Sequence, residues 1–203
     1  MQLIVISSPE AVAHEAALMS EILAAGLPRL HLRKPAFSPP EMADLVAQIP
    51  ARYHARLVLH GHPALVSDMK LGGLHLTTSA RNALTSRPEL AAGQKLSTSF
   101  HTLAEIRQHR RKYDYVFLSP VFDSLSKRDY ASGFELSTVA EALQRLRQRA
   151  GHVPQVLALG GVEAHRLAAV RQAGFAGAAV LGAVWQSPDP VAAFRALQAL
   201  SGQ

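Results

Sequence analysis

The sequence contains no cysteine. That excludes a disulfide framework, a cysteine-ligated zinc site, an iron–sulfur cluster and a thiol nucleophile. Aromatic residues make up only 6% of the chain, with a single Trp, and no stacking aromatics are interleaved with the basic runs, as a single-strand nucleic-acid platform would require. No apolar run approaches the ~20 residues of a membrane-spanning helix. The opening Met1–Ser8 stretch is too short for a signal peptide and lacks its basic flank. The expectation is a soluble, cytoplasmic protein with neither a nucleic-acid nor a membrane partner. Acid is also scarce: 15 Asp and Glu stand against 21 Lys and Arg, for a net charge of +6. Two basic clusters (Arg107, Arg110, Arg111 and Lys112; Arg145, Arg147 and Arg149) fall on amphipathic helical stretches and read as solvated outer faces. The remaining positive charge suits a phosphorylated small molecule, because a positive cleft attracts anions.

What is present is a beat of short apolar runs. With 48% hydrophobic residues over 203 positions, the chain is long enough for one well-buried domain, 1–203. Eight runs read as strands: Leu3–Ile6, Leu30–Arg33, Leu57–His60, Gly73–Leu76, Lys95–Ser99, Tyr115–Ser119, Val156–Leu159 and Ala178–Leu181. Their nearly continuous apolar character is that of parallel strands buried on both faces. Between them lies helix punctuation. Ser8-Pro9 has the form of an N-cap followed by Pro at the first helical position. Ser38…Glu41 and Thr102…Glu105 match capping boxes. Gly26 and Gly174 fall where helices should stop. Thr77–Asn82 reads as loop, so the fourth unit is expected to be shortened. Eight strand–helix units in about 200 residues point to a compact (β/α)8 TIM barrel. An open doubly wound sheet is the alternative, weakened by the lack of Gly-x-Gly-x-x-Gly after the first strand.

In such a barrel, function gathers where strands end, and the polar residues of this chain gather there too. The end of strand two carries His31, Arg33 and Lys34, strand three ends in His60-Gly61-His62, strand four holds His75, followed by Thr77 and Thr78, and strand five ends with Ser97, Ser99 and His101. Gly160-Gly161 before a helix is the clearest phosphate signal, because glycines allow close backbone approach and a helix N-terminus presents free N–H groups. Gly182 offers the same after strand eight. Ser124-x-Ser126-Lys127 places two hydroxyls and an ammonium within four residues, a set suited to pyrophosphate, and Arg33 would complete a cationic clamp. Lys34 is also expected to face anionic substrate. His60-x-His62, as strand residues, would put two rings on one face and invite a metal, with Asp68 and Asp123 as the carboxylates in reach. His75 reads as a core histidine with a satisfied ring, and Trp185 as packing or a cap at the barrel mouth.

The order and spacing of several segments resemble the thiamine phosphate synthase and thiazole tautomerase family. They are Leu30-His31-Leu32-Arg33, Gly73-Leu74-His75-Leu76, Ser99-Phe100-His101-Thr102, Asp114–Phe122, Ser124-Leu125-Ser126-Lys127 and Ala158–Val162. The resemblance runs from Leu3 to about Phe194 and implies a (β/α)8 barrel. It implies a transferase that joins a pyrimidine diphosphate to a thiazole phosphate and releases pyrophosphate, through a pyrimidine cation. Carried over by motif, Arg33, Ser99 and Lys127 would be catalytic. His31, Arg33, Ser99, Ser124, Ser126 and Lys127 would hold the pyrimidine and pyrophosphate, and Gly160, Gly161 and Gly182 the thiazole phosphate. A homodimer would be in keeping with the family.

The resemblance also implies Mg²⁺, but the matching positions here are Gly61 and, after strand four, Ser79 or Ala80, none of which carries a carboxylate. The tautomerase branch shares the Gly at that strand-three position, yet its catalytic His falls where this chain has Pro120. Three functions therefore stand side by side: the synthase, with metal binding altered around His60 and His62; a tautomerase using His31, His60 or His101 as acid–base; and a non-catalytic thiazole or thiamine phosphate binder.

Overall fold

All eight apolar runs are strands in the computed structural model, which describes residues 1–122 and 134–202. In chain order they are β1 (Gln2–Ile6), β2 (Leu30–Leu32), β3 (Leu57–His60), β4 (Gly73–Leu76), β5 (Lys95–Phe100), β6 (Tyr115–Leu118), β7 (Gln155–Ala158) and β8 (Gly177–Val180). Each pairs in parallel with its sequence neighbours, and β8 closes on β1, giving a (β/α)8 barrel rather than an open sheet. The helices are α1 (Glu15–Ala24), α2 (Pro39–Ala47), α3 (Pro63–Asp68), α4 (Thr78–Ala83), α5 (Leu103–Gln108), α6 (Leu136–Arg147), α7 (Leu167–Gln172), α8 (Gly182–Trp185) and α9 (Pro190–Gly202). None is long and apolar enough to cross a membrane.

Alternation along the strands sorts side chains into two layers. Leu3, Val5, Leu30, Leu32, Leu57, Leu59, Val116 and Val180 join the large shell of apolar residues outside the barrel, beneath the helices. Ile4, Ile6, Tyr115, Phe117, Leu157 and Ala179 form a smaller cluster inside. That interior is less aliphatic than a barrel's usual filling of Val, Ile and Leu, because β2, β3 and β4 supply His31, His60 and His75.

Both capping boxes form, at Ser38–Glu41 and Thr102–Glu105. Gly26 and Gly174 have the positive φ expected of helix stops, +101° and +84°. Two local expectations are corrected. Ser8 caps no helix: α1 starts at Glu15, after His14 in the left-handed region, and the intervening residues lengthen the connection from β1. Thr77–Asn82 is not loop. Thr77 accepts a hydrogen bond from the Ala80 N–H at 3.2 Å and starts the six-residue α4, a local cap that outweighs weak helical periodicity.

Candidate functional site in the barrel mouth

Most of the polar side chains at the mouth come from the ends of β2 to β5. Arg33 lies one residue beyond β2 and is exposed. Its backbone is clamped by Ser7, a fully buried residue just beyond β1: the Arg33 N–H donates to Ser7 Oγ at 2.8 Å, and that hydroxyl donates to the Arg33 carbonyl at 3.3 Å. Lys34 does not face the mouth. Its ammonium is buried, 2.6 Å from Glu15 and 2.7 Å from the Glu10 carbonyl. It is turned away from the rim past the end of β2, held by Glu15 at the start of α1 and by the Glu10 carbonyl of the segment before it.

His60 ends β3, but His62 has left the strand. It sits at φ +53° as the N-cap of α3, so the two rings do not share a face. A strand of four residues cannot carry the alternation two residues further. Asp68 ends α3, on the side of the barrel where strands begin, and is no candidate ligand at the mouth. Asp123, Ser124, Ser126 and Lys127 lie outside the described residues. Gly160 and Gly161 follow β7 with φ +91° and +62°. The next helical turn begins at Ala164, so the glycines form a bend before the helix rather than its first residues. Gly182 is the first residue of α8. His101 is exposed, with Nδ1 2.8 Å from the Ser119 carbonyl. Trp185 donates from Nε1 to the Ile6 carbonyl at 2.8 Å, a packing role at the mouth.

Gly160 is fixed sterically as well as by its φ. A Cβ there would lie 2.7 Å from both Cα and Cβ of Pro120. Gly160→Ala is expected to cost about 2–4 kcal/mol, combining left-handed strain with overpacking; urea melts of the two proteins check it, and a loss under 0.5 kcal/mol would show that the bend can relax.

Beneath the mouth is a connected polar network. His31 Nδ1 is 3.0 Å from His60 Nε2, and His31 Nε2 is 2.7 Å from the Tyr115 hydroxyl. His75 contacts Ser97 Oγ through Nδ1 at 2.9 Å and Ser99 Oγ through Nε2 at 3.2 Å. Every one of these is an inward position on its strand, and the β3–β4 register sets His60 beside His75, with ring centroids 4.1 Å apart. Burial pushes all three imidazoles toward the neutral form. His75 falls to about 3 through desolvation, reinforced by the Arg33 and Arg81 charges. His31 and His60 are held well below the usual imidazole range, first by desolvation and then by neighbouring positive groups. Burial raises the Tyr115 phenol to about 12, so it stays protonated.

Arg81, on α4, was not legible as a site residue. Its guanidinium donates to the Ser99 carbonyl, pairs with Glu105 at 3.1 Å and lies over the Phe100 ring, bracing the end of β5 that presents Ser99. Its position on a stretch that reads as loop hid it. Tyr115 and Ser7 were also missed. Their only signal was a polar atom at an inward or terminal strand position.

Fold and site together define a (β/α)8 barrel whose mouth presents a guanidinium, a serine hydroxyl and buried neutral imidazoles. The chain belongs to the thiamine monophosphate synthase family, whose model matches residues 3–184. It is 28% identical over 191 residues to a putative thiamine-phosphate synthase of Geobacter sulfurreducens, covering 91% of this chain and 85% of that protein. A thiamine-phosphate synthase of Bacteroides fragilis is 25% identical over 173 residues, covering 83% and 84%. Among solved structures, a thiamine phosphate pyrophosphorylase from Bacteroides thetaiotaomicron superposes with a TM-score of 0.81 at 30% identity, covering 100% of this chain and 98% of that one.

Magnesium, which the family resemblance implies, takes oxygen ligands, chiefly carboxylates and water. Among the described residues, the side chains at the matching positions do not fit it. Gly61, Ser79 and Ala80 have no carboxylate, and nearby Glu15 and Glu105 are already paired with Lys34 and Arg81.

Proposed function

We propose that the protein is a thiamine phosphate synthase-type transferase, acting on a pyrimidine carrying a methylene diphosphate and on a thiazole phosphate. The bond from the methylene carbon to the diphosphate oxygen breaks, its electron pair leaving with pyrophosphate. The thiazole nitrogen then forms the new C–N bond to that carbon. Such a reaction needs donors aimed at the leaving group more than it needs a base. The observation that carries the reading is Ser99 at the mouth, its hydroxyl 3.2 Å from neutral His75 and its backbone carbonyl held by Arg81. With the His75 proton on Nε2, that ring donates to Ser99 Oγ and leaves the serine proton free for an anionic oxygen. Arg33, fixed by Ser7, supplies positive charge on the same rim. By the family resemblance Ser124, Ser126 and Lys127 add to the pyrophosphate site, and Gly160, Gly161 and Gly182 to the thiazole phosphate site.

A tautomerase using His31 or His60 is less well supported. A general base works best with a pKa near the operating pH, and both rings are pushed well below that. The test is to mix pure protein with both substrates and assay thiamine phosphate. Turnover is expected, and Ser99→Ala should lower it about 10²–10³-fold, as when one leaving-group donor is removed. No product above a Lys127→Ala control would overturn the synthase reading. Acceleration of ring aromatisation of a carboxylated thiazole phosphate would establish the tautomerase instead, and calorimetric binding of thiamine phosphate without any turnover the non-catalytic binder.

A further inference from the structure

The histidine cluster holds more chemistry than a packed barrel interior requires. Among the described residues, His31, His60 and His75 each offer one ring nitrogen such that the three atoms all lie within 4.8 Å of one another. We propose that these three imidazoles form a binding site for a zinc-class transition-metal ion just beneath the barrel mouth, with a fourth position open toward solvent. The proposal shares His75 with the transferase reading but uses its other tautomer, with the proton on Nδ1 toward Ser97 and Nε2 released from Ser99, and its test reads metal binding rather than turnover.

The geometry comes from the strands. The rings project inward from three adjacent strands whose parallel pairing is fixed by register, so they converge without any loop having to close. Tetrahedral zinc binds imidazole nitrogen at ~2.0–2.1 Å, which places ligand nitrogens roughly 3.3 Å apart. His31 Nδ1 and His60 Nε2 are already 3.0 Å apart. Small ring rotations bring His75 in.

The outer partners also match. A ligating histidine normally gives its other ring nitrogen to a fixed hydrogen-bond partner, which sets its tautomer and orientation. His31 has Nε2 on the Tyr115 hydroxyl at 2.7 Å, and its Nδ1, 3.0 Å from His60 Nε2, would exchange that contact for the ion. His75 has Nδ1 on Ser97 at 2.9 Å, and its longer contact from Nε2 to Ser99 is the one to exchange for an ion. His60 is the only one of the three that is not fully buried, and it gives an ion its entry from the mouth.

Ligand type selects the metal. Three neutral imidazoles and no carboxylate suit zinc, copper or nickel and offer nothing to magnesium. Three protein ligands with one vacancy is the pattern of a zinc site that keeps a water or substrate position. The Arg33 and Arg81 guanidiniums close by favour an anionic fourth ligand, hydroxide or a phosphate oxygen, over neutral water.

The test uses the full chain stripped with a chelator at pH 7.5 and titrated with Zn²⁺ by calorimetry, and with Co²⁺ by visible absorption. One ion per chain is expected, with the intense spectrum of four-coordinate Co²⁺, a rise in Tm on zinc addition, and no competition from millimolar Mg²⁺. His60→Asn and His75→Asn should each weaken zinc binding at least 100-fold, while His62→Ala and His165→Ala leave it unchanged. Circular dichroism establishes that each variant is folded; if His75→Asn is not, His60→Asn and His60→Gln, at the rim, carry the comparison. Zinc affinity weaker than about 100 μM, affinity lost with His62 or His165 but not with His60, or an octahedral Co²⁺ spectrum would each overturn the proposal.

Discussion

Lys34→Met is expected to cost about 3–5 kcal/mol of stability at pH 7, the penalty for leaving one member of a buried ion pair without its partner. The Lys34 side chain is wholly inaccessible and that of Glu15 is 8% exposed, with 2.6 Å between charged atoms. Methionine matches the lysine stem in shape, so the loss is electrostatic rather than a cavity. The pH dependence follows from Glu15. Burial already raises its pKa, and the Lys34 hydrogen bond and charge hold it down. Without Lys34 both lowering influences vanish and the carboxyl rises further. A carboxyl whose folded pKa exceeds its unfolded value favours the folded state as pH falls, because the native state binds the extra proton. The gap between wild type and Lys34→Met should therefore shrink from pH 7 to pH 5. Adding Glu15→Leu to the variant should recover part of the loss, since no charge is then left buried. Urea melts at the two pH values measure all three quantities. A gap below 1 kcal/mol at pH 7, or one that widens in acid, would show that water reaches this pair.

The second large effect is acid unfolding through the imidazole cluster. His75 is lowered to about 3, and His31 and His60 fall well below their ordinary value, in each case first through desolvation. Unfolding returns each ring to a pKa near 6.5, so below that pH the unfolded chain binds protons the native state does not. Stability is fully present above about pH 6.5 and falls as pH drops toward the folded pKa. His75 alone gives a slope of about 1.4 kcal/mol per pH unit and a loss of roughly 2 kcal/mol at pH 5, and His31 and His60 add to it in the same direction. Against a typical 5–15 kcal/mol for a domain, the chelator-treated protein should unfold between about pH 5 and pH 3. His60→Gln should flatten the slope, since one of the three desolvated rings is then gone. A native circular dichroism spectrum persisting at pH 3, or a slope unchanged by His60→Gln, would mean that these rings already carry protons in the fold.

The mouth illustrates how reading a linear chain loses information. Arg33 and Lys34 are adjacent and chemically alike, yet one is on the rim and the other is locked against Glu15. Both lie beyond the end of β2, and the Glu15 carboxylate and Glu10 carbonyl draw Lys34 away from the rim while Ser7 holds the Arg33 backbone at it. His60-x-His62 has the look of a ligand pair only if the strand continues. The chain turns at Gly61 and His62 instead, and the real neighbours of His60 are His31 and His75, 29 and 15 positions earlier and later in the sequence. No local spacing shows that, because it is created by the register between strands.

The strand–helix beat of eight units, the two capping boxes and the glycine helix stops were set by local periodicity and backbone chemistry, which need only neighbours in the chain. The order and spacing of the strand-end motifs marked the family for the same reason. Closure of β8 on β1, the burial of Lys34, the bracing of Ser99 by Arg81 and the convergence of three imidazoles with Tyr115 were decided only in the tertiary structure. Each depends on residues from different strand–helix units being brought within hydrogen-bond distance, and it is the closed parallel barrel that turns alternate positions on separate strands into one shared interior.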